Sequence, residues 1–271
     1  MSLVDTDWLE KNIDKVKIID CSWHMPQTKR NGLKEYKKHH IQNAIFFDLD
    51  NNSKRDTDLP HMLVNAVTWE KIVSTMGISK MDEIVIYDNS DVISSCRCWF
   101  NFIYFGHDPN LVHVLNGGFQ KWMKEKKDIT DMQTNILKSN YNCSEKKQLV
   151  KDKKSIDQNI FEQTFRVIDA RGRDRFEGKV PEPRKGLRGG NIKNSFCIPF
   201  KECLNDDKTF KSRQELKNVF QTCLKNTNEK NIVFSCGSGV TACVLALAYS
   251  LINDKYQPSI YDGSWAEYGI I

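Results

Sequence analysis

The sequence predicts an α/β fold made of two tandem domains, each a mostly parallel sheet with helices on both faces. The chain has 271 residues, which is enough for two domains of ordinary size. Short β-branched strands alternate with amphipathic helical stretches, a pattern typical of parallel sheets covered by helices. In addition, segments of the first half recur in the second half in the same order.

The repeat consists of four matched pairs of segments at nearly constant separation. The pairs are 17–20 with 166–169, 40–44 with 191–195, 83–88 with 230–236, and 114–122 with 259–268. A polar, lysine-rich stretch lies between the two copies and resembles a linker. We therefore predict an N-terminal domain over 1–134, a linker over 135–147 and a C-terminal domain over 148–271.

The two halves differ at the loop that follows one matched strand. In the second half the apolar strand 232–234 leads through Ser235 into Cys236, whereas in the first half the residue corresponding to Cys236 is Asp88, followed by a longer insertion. A carboxylate cannot replace a sulfur nucleophile. We therefore expect the C-terminal domain to be catalytic, and the N-terminal domain, which lacks the nucleophile, to line the active site.

Cys236 opens a glycine-containing loop between an apolar strand and an apolar helix. The loop reads Cys236-Gly237-Ser238-Gly239-Val240-Thr241. Backbone amides and the positive end of a helix dipole stabilise an anion at such a junction, and glycines let the backbone wrap closely around it. We expect Cys236 to react as a nucleophilic thiolate.

Composition excludes several other classes of protein. The net charge of +5 is spread over many lysines, without the aromatic interleaving of a nucleic-acid surface. The sequence shows no membrane-length apolar run, no metal-ligand spacing and no dinucleotide-binding glycine pattern. We expect no cofactor, no metal, no nucleic-acid partner and no membrane association. Nine cysteines without framework spacing and an acidic start without a signal peptide favour the cytoplasm, or mitochondria if a presequence has been removed.

These features together resemble the tandem-rhodanese sulfurtransferases, and most closely the 3-mercaptopyruvate sulfurtransferases. The resemblance extends from about Leu9 to Tyr268. The segments that match the family are the Cys236 loop, 47–50, 61–63, 175–178, 181–184 and 262–265. The sequence departs from the family pattern at 40–44 and 191–195, where His-Ile-Pro-Gly-Ala is usual. These departures concern local backbone shape more than chemistry.

The resemblance also implies roles for individual residues. Arg175 and Arg184 correspond to the clamp for the substrate carboxylate, and guanidinium groups pair well with a planar carboxylate. Cys236 would be the nucleophile, with Ser238, His61 and Asp50 as a proton relay; the remaining predicted substrate-binding residues are Gly237, Gly239, Val240 and Thr241. From the residues alone, the arginines could belong to a surface loop and His61 could cap a turn.

The implied activity is transfer of sulfur from 3-mercaptopyruvate, through a Cys236 persulfide, to a thiol or to cyanide, with release of pyruvate. Thioredoxin or low-molecular thiols are the expected acceptors. One alternative is a thiosulfate:cyanide sulfurtransferase, but Gly237 and Ser238 supply no charge beside the cysteine for a dianion. A second is a non-catalytic interaction module. A cysteine phosphatase is disfavoured because Ala242 stands where such enzymes need an arginine.

Overall fold

Two five-stranded parallel sheets form the framework of the protein. The computed structural model describes residues 2–224, 229 and 231–271. The chain divides into two compact units: the first comprises Met1–Lys54, Leu63–Lys146 and Asp206–Thr209, and the second comprises Arg55–Met62, Lys147–Asn205 and Phe210–Ile271. The predicted α/β class is confirmed, whereas the predicted domain and linker boundaries stay predictions.

The first unit has a sheet in the order β1-β5-β4-β2-β3, with every neighbouring pair parallel. Its elements are β1 (Leu3–Val4), α1 (Thr6–Asn12), β2 (Lys17–Asp20), α2 (Gly32–Lys38), β3 (Ala44–Phe46), α3 (Ala66–Thr75), β4 (Ile84–Tyr87), α4 (Ser95–Tyr104), β5 (Val112–Leu115) and α5 (Gly118–Lys124). The central strand β4 and the helix α4 that follows it are buried along their whole length. Asp88 follows this central strand.

The second unit repeats the arrangement, with the parallel order β6-β10-β9-β7-β8. Its elements are β6 (Val150–Lys151), α6 (Lys153–Glu162), β7 (Arg166–Asp169), α7 (Arg173–Phe176), β8 (Phe196–Cys197), α8 (Arg213–Gln221), β9 (Ile232–Ser235), α9 (Ala242–Ser250), β10 (Ile260–Tyr261) and α10 (Ser264–Tyr268). All of β9 is buried, as is α9 from Ala242 to Tyr249. Cys236 therefore follows a central, fully enclosed strand.

Capping residues begin the first helix of each unit in the same way. The carboxylate of Asp5 accepts the amide of Trp8 at 2.7 Å, and the carboxylate of Asp152 accepts the amide of Ser155 at 2.8 Å. Each bond satisfies an amide that has no partner inside its helix. The repeat seen in the sequence thus extends to the ends of the helices.

The two departures from the family pattern have a simple backbone explanation. Asn43 and Asn194 occupy the positions at which the family has glycine, and both have φ of 64°. Asparagine tolerates this left-handed conformation better than most residues with a side chain. The local turn is kept in both units although the glycine is absent.

The segment predicted as a linker is hydrogen-bonded along much of its length to the first unit. The amide of Ser139 donates to the carbonyl of Ser74 at 3.0 Å, and the amide of Lys146 donates to the carbonyl of Tyr104 at 2.7 Å. The side chain of Tyr141 is buried beside His107, whose Nδ1 lies 3.1 Å from the tyrosine hydroxyl. These contacts place Ser139–Lys146 against the ends of α3 and α4.

Candidate active site

Cys236 lies at the carboxyl end of β9, beside the point where the strand order of the second unit reverses. From β7 the chain continues to β8 on one side, and from β9 it continues to β10 on the other. Ligands of parallel α/β sheets bind at such a switch point, outside the carboxyl ends of the strands. Cys236 is only 1% exposed, so a reactant must enter a shielded site to reach its sulfur.

The Cys236 loop is held from behind by Ser264. This residue is fully buried, and its hydroxyl accepts hydrogen bonds from the amides of Cys236 and Gly239, at 3.1 and 3.2 Å. The same hydroxyl donates a hydrogen bond to the carbonyl of Tyr261 at 2.8 Å. Two further bonds run from the amides of Trp265 and Ala266 to the carbonyls of Cys236 and Gly237, both at 2.9 Å. The start of α10 therefore fixes the backbone of the loop.

Several amides of the loop lack a protein acceptor. Within the described residues, the amides of Gly237, Ser238, Val240 and Thr241 donate no hydrogen bond. They lie between Cys236 and the first turn of α9, where the helix dipole adds positive potential. A run of unpaired backbone donors at a helix start is an anion-binding arrangement.

Two predicted clamp residues, Arg175 and Arg184, lie over this loop. A Cβ built on Gly237 would be 3.3 Å from Nη2 of Arg175 and 3.8 Å from Nη1 of Arg184. Nη2 of Arg184 also donates to the hydroxyl of Ser238 at 3.4 Å. The guanidinium groups thus occupy the space beside the nucleophile that a side chain at position 237 would fill.

A buried ion-pair network supports Arg175. Its Nη2 donates to Glu182 at 2.5 Å, and the other oxygen of that carboxylate accepts Nη1 of Arg171 at 2.7 Å. Arg171 is also paired with Asp169 and lies 4.2 Å from the ring centroid of Trp265. Burial opposes the charge of Arg171, but the Asp169 and Glu182 carboxylates raise its pKa above the usual range.

Ser238 is the meeting point of the predicted proton relay in the second unit. Nδ1 of His61 lies 3.0 Å from the Ser238 hydroxyl, and both side chains are buried. The segment Arg55–Met62 belongs to the second unit, so the two side chains lie close together although they are far apart in sequence. Asp50 belongs to the first unit, where its two carboxylate oxygens each accept the indole N–H of Trp23 at 3.0 Å.

The second unit therefore brings together most of the predicted site residues: Cys236, Gly237, Ser238, Gly239, Val240, Thr241, Arg175, Arg184 and His61. Cys243, seven residues after the nucleophile, is fully buried, and its thiol donates a hydrogen bond to the carbonyl of Gly239 at 3.2 Å, so it packs in the core behind the loop. Sequence reasoning did not assign roles to Ser264, Glu182 and Arg171. Glu182 and Ser264 lie in two of the segments that match the family, 181–184 and 262–265, which is the signal that could have pointed to them, whereas Arg171 lies outside all of these segments.

The protein-family model described as "Rhodanese-like domain" matches this chain twice, over residues 5–125 and 152–270. The chain belongs to the rhodanese family. A thiosulfate/3-mercaptopyruvate sulfurtransferase of Arabidopsis thaliana is 37% identical over 98% of this chain and 75% of its own length. A thiosulfate sulfurtransferase of Rattus norvegicus is 34% identical over 98% of this chain and 91% of its own length.

The same relationship is seen among solved structures. The 3-mercaptopyruvate sulfurtransferase SseA of Escherichia coli matches with a TM-score of 0.86 and 30% identity, over 98% of this chain and 99% of SseA. This rhodanese-family chain is accordingly a sulfurtransferase with a small-molecule sulfur donor. In the part of the chain that the structure describes, no helix combines the length and apolar character needed to cross a membrane.

Proposed function

We propose that this protein transfers sulfur from 3-mercaptopyruvate through a persulfide on Cys236 to a thiol acceptor, and releases pyruvate. The observation that supports this most directly is the set of unpaired amides that follows Cys236, with two arginines over Gly237. The amides suit a sulfur anion, and the guanidinium groups suit the donor's carboxylate. A donor bound in this way would place its sulfur beside the thiolate.

In the first half-reaction the Cys236 thiolate attacks the donor sulfur. An S–S bond forms, the donor's C–S bond breaks, and its electron pair goes to carbon as the enolate of pyruvate. Arg175 and Arg184 would offset the charge of that enolate. Protonation of the enolate carbon gives pyruvate, and the transferred sulfur stays on Cys236 as the persulfide.

In the second half-reaction an acceptor thiolate attacks the outer sulfur of the persulfide. The acceptor leaves as its own persulfide, and Cys236 returns as the thiolate; cyanide in place of the thiol gives thiocyanate. Two separate half-reactions imply ping-pong kinetics. Thioredoxin or a low-molecular thiol is the acceptor we propose, by resemblance to the family.

Proton transfer is assigned to Ser238 and His61. The 3.0 Å contact lets the imidazole exchange a proton with the hydroxyl, and the hydroxyl belongs to the loop that holds the nucleophile. Asp50 is proposed as the residue that orients His61. We also propose the domain limits 1–134 and 148–271 joined by 135–147. Nine cysteines without framework spacing favour a reducing compartment, so we propose the cytoplasm, or mitochondria if a presequence has been removed.

Thiosulfate is the alternative donor, favoured by the thiosulfate sulfurtransferase among the relatives. One feature disfavours it as the main donor: Gly237 and Ser238, the residues next to the nucleophile, bring no cation. The dianion would depend on the two arginines and the amides alone.

The decisive experiment is to mix the protein with each donor, weigh the intact chain and follow product release. We expect a gain of one sulfur atom and pyruvate release with 3-mercaptopyruvate in the wild type and in Cys243→Ser, and neither in Cys236→Ser. A higher kcat/KM for thiosulfate would overturn the donor assignment. Absence of the mass gain with both donors would favour a non-catalytic module.

A further inference from the structure

Glu182 is a buried carboxylate bonded to Arg171 and Arg175, and its side chain is only 1% exposed. We propose that Glu182 sets the donor specificity: its charge weakens the positive field of Arg175, so that a donor with one negative charge is favoured over a dianion. This inference rests on the proposed function, because it concerns the choice among sulfur donors.

The negative charge of Glu182 balances mainly the positive charge of Arg175, because Arg171 is already paired with Asp169. Three hydrogen bonds of 2.8 to 3.1 Å join the Arg171 guanidinium to the Asp169 carboxylate. Asp169 and Arg171 thus form a buried pair of opposite charges. The carboxylate of Glu182 is left as the counter-charge of Arg175, which it contacts at 2.5 Å.

Arg175 transmits this effect to the place where the donor binds. Its Nη2 atom both bonds to Glu182 and lies 3.3 Å from a Cβ built on Gly237, the residue after the nucleophile. A donor anion beside Cys236 therefore experiences the guanidinium together with its counter-charge. Interactions between charges are stronger beside the buried Cys236 and Glu182 than on an open surface, although the Arg175 side chain itself is partly exposed.

The number of charges on the donor turns this field into selectivity. At neutral pH 3-mercaptopyruvate carries the single charge of its carboxylate, whereas thiosulfate carries two. A buried negative charge repels a dianion about twice as strongly as it repels a monoanion at the same distance. Glu182 therefore lowers the binding of thiosulfate more than that of 3-mercaptopyruvate.

Two substitutions of Glu182 distinguish the effect of its charge from the effect of its position. Glu182→Gln keeps the length and an acceptor oxygen but removes the charge, and Glu182→Asp keeps the charge but shortens the reach to Arg175. Glu202→Gln is the matched control: Glu202 accepts Nη2 of Arg173 at 2.8 Å in the same unit, but on the surface. Melting curves establish that each variant is folded.

The test is the ratio of kcat/KM for thiosulfate to kcat/KM for 3-mercaptopyruvate. We expect Glu182→Gln to raise this ratio about tenfold, and Glu182→Asp to lower both values while leaving the ratio within twofold. Glu202→Gln should change neither value. An unchanged ratio in Glu182→Gln, or a changed one in Glu182→Asp, overturns the proposal; the second result applies even if Glu182→Gln does not fold.

A second readout does not depend on turnover. Iodoacetate and iodoacetamide alkylate the same thiol, but only iodoacetate is negatively charged, so their rate ratio at Cys236 reports the local field. We expect Glu182→Gln to raise this ratio severalfold, and a constant ratio contradicts the proposal. A wild type that prefers thiosulfate would refute the donor assignment without affecting this measurement.

Discussion

The loops that follow the two central strands, β4 and β9, have similar backbones but different uses. In the first unit, the Asp88 carboxylate accepts the amide of Ser90 at 2.7 Å and that of Ser95 at 2.9 Å. In the second unit the amide of Ser238, two residues after Cys236, has no acceptor among the described residues. The first loop binds an anion of its own, whereas the second leaves donors for a reactant.

A second difference lies at the helix start that supports each loop. The amides of Phe119 and Trp265 donate to the carbonyls of Asp88 and Cys236, both at 2.9 Å. The residue before each is left-handed: Gly118 with φ of 58° and Ser264 with φ of 49°. A Cβ on Gly118 would lie 2.6 Å from the Asp88 carbonyl. The second unit accepts backbone strain at Ser264, whose hydroxyl holds the reactive loop.

The largest effect is expected when the second loop is given the residue of the first. Cys236→Asp should lose at least about a thousandfold in turnover, because no sulfur nucleophile remains. Its carboxylate should take up loop amides as Asp88 does, so the variant should melt at or above Cys236→Ser at pH 7. Pyruvate release and melting curves measure both effects. A Cys236→Asp protein that melts well below Cys236→Ser would show that this loop does not stabilise an anion.

An arginine near each loop provides the next comparison. Nη2 of Arg30 donates to the carbonyl of Asn89, the residue after Asp88, while the same guanidinium is bonded to Glu35. Arg175 reaches the corresponding residue, Gly237. We expect Arg175→Ala to lower kcat/KM for 3-mercaptopyruvate about a hundredfold, from the loss of charge-assisted bonds to its carboxylate. Arg30→Ala should stay within about threefold, and equal losses in the two variants would remove the distinction between the loops.

Ser264 tests whether the strained residue serves catalysis. Ser264→Ala removes the hydroxyl that accepts hydrogen bonds from the amides of Cys236 and Gly239, so the loop should lose order. We expect kcat to fall about tenfold with little change in KM. Ser264→Gly also lacks the hydroxyl, but glycine tolerates the left-handed backbone at this position, as Gly118 does in the first unit. This variant should therefore melt at a higher temperature than Ser264→Ala, with no recovery of kcat. Recovery of kcat in the glycine variant would argue against a role for the hydroxyl.

These comparisons also show which parts of the molecule a sequence can reveal. The alternation of strands with helices predicted both parallel sheets because it is a local pattern, and the repeat could be seen by comparing the two halves of the sequence. The Cys236 loop was visible for the same reason. Glu182 and Ser264 were not assigned a role, since their importance arises from contacts with distant partners, Arg171 and the amide of Cys236. The proximity of His61 to Ser238 was expected only through the resemblance to the family, because it depends on how a remote segment folds back.

A buried carboxylate at the end of β2 distinguishes the units once more. Asp20 and Asp169 occupy matching positions, and each accepts the amide two residues on at 2.9 Å, from Ser22 and Arg171 respectively. In the second unit the Arg171 guanidinium also neutralises the carboxylate. In the first unit Ser22 supplies no charge, and burial raises the pKa of Asp20 to about 7, with a smaller contribution from Asp88.

The smallest effect concerns stability and its dependence on pH. The pKa of Asp20 is higher in the folded protein than in the unfolded chain. The free energy of unfolding is therefore highest below about pH 4, where the carboxyl is protonated in both states, and it falls as the pH rises to about 7. Asp20→Asn keeps an acceptor for the amide of Ser22 and removes the charge. At pH 8 it should be more stable than the wild type by on the order of 4 kcal/mol, with no gain near pH 4. Asp169→Asn removes the charge that balances the buried Arg171 and leaves it with Glu182 as its remaining carboxylate partner, so this variant should destabilise the protein at both pH values. Urea unfolding at the two pH values measures these differences, and a gain for Asp20→Asn that is equal at pH 4 and pH 8 would mean that the charge of Asp20 is not its cause.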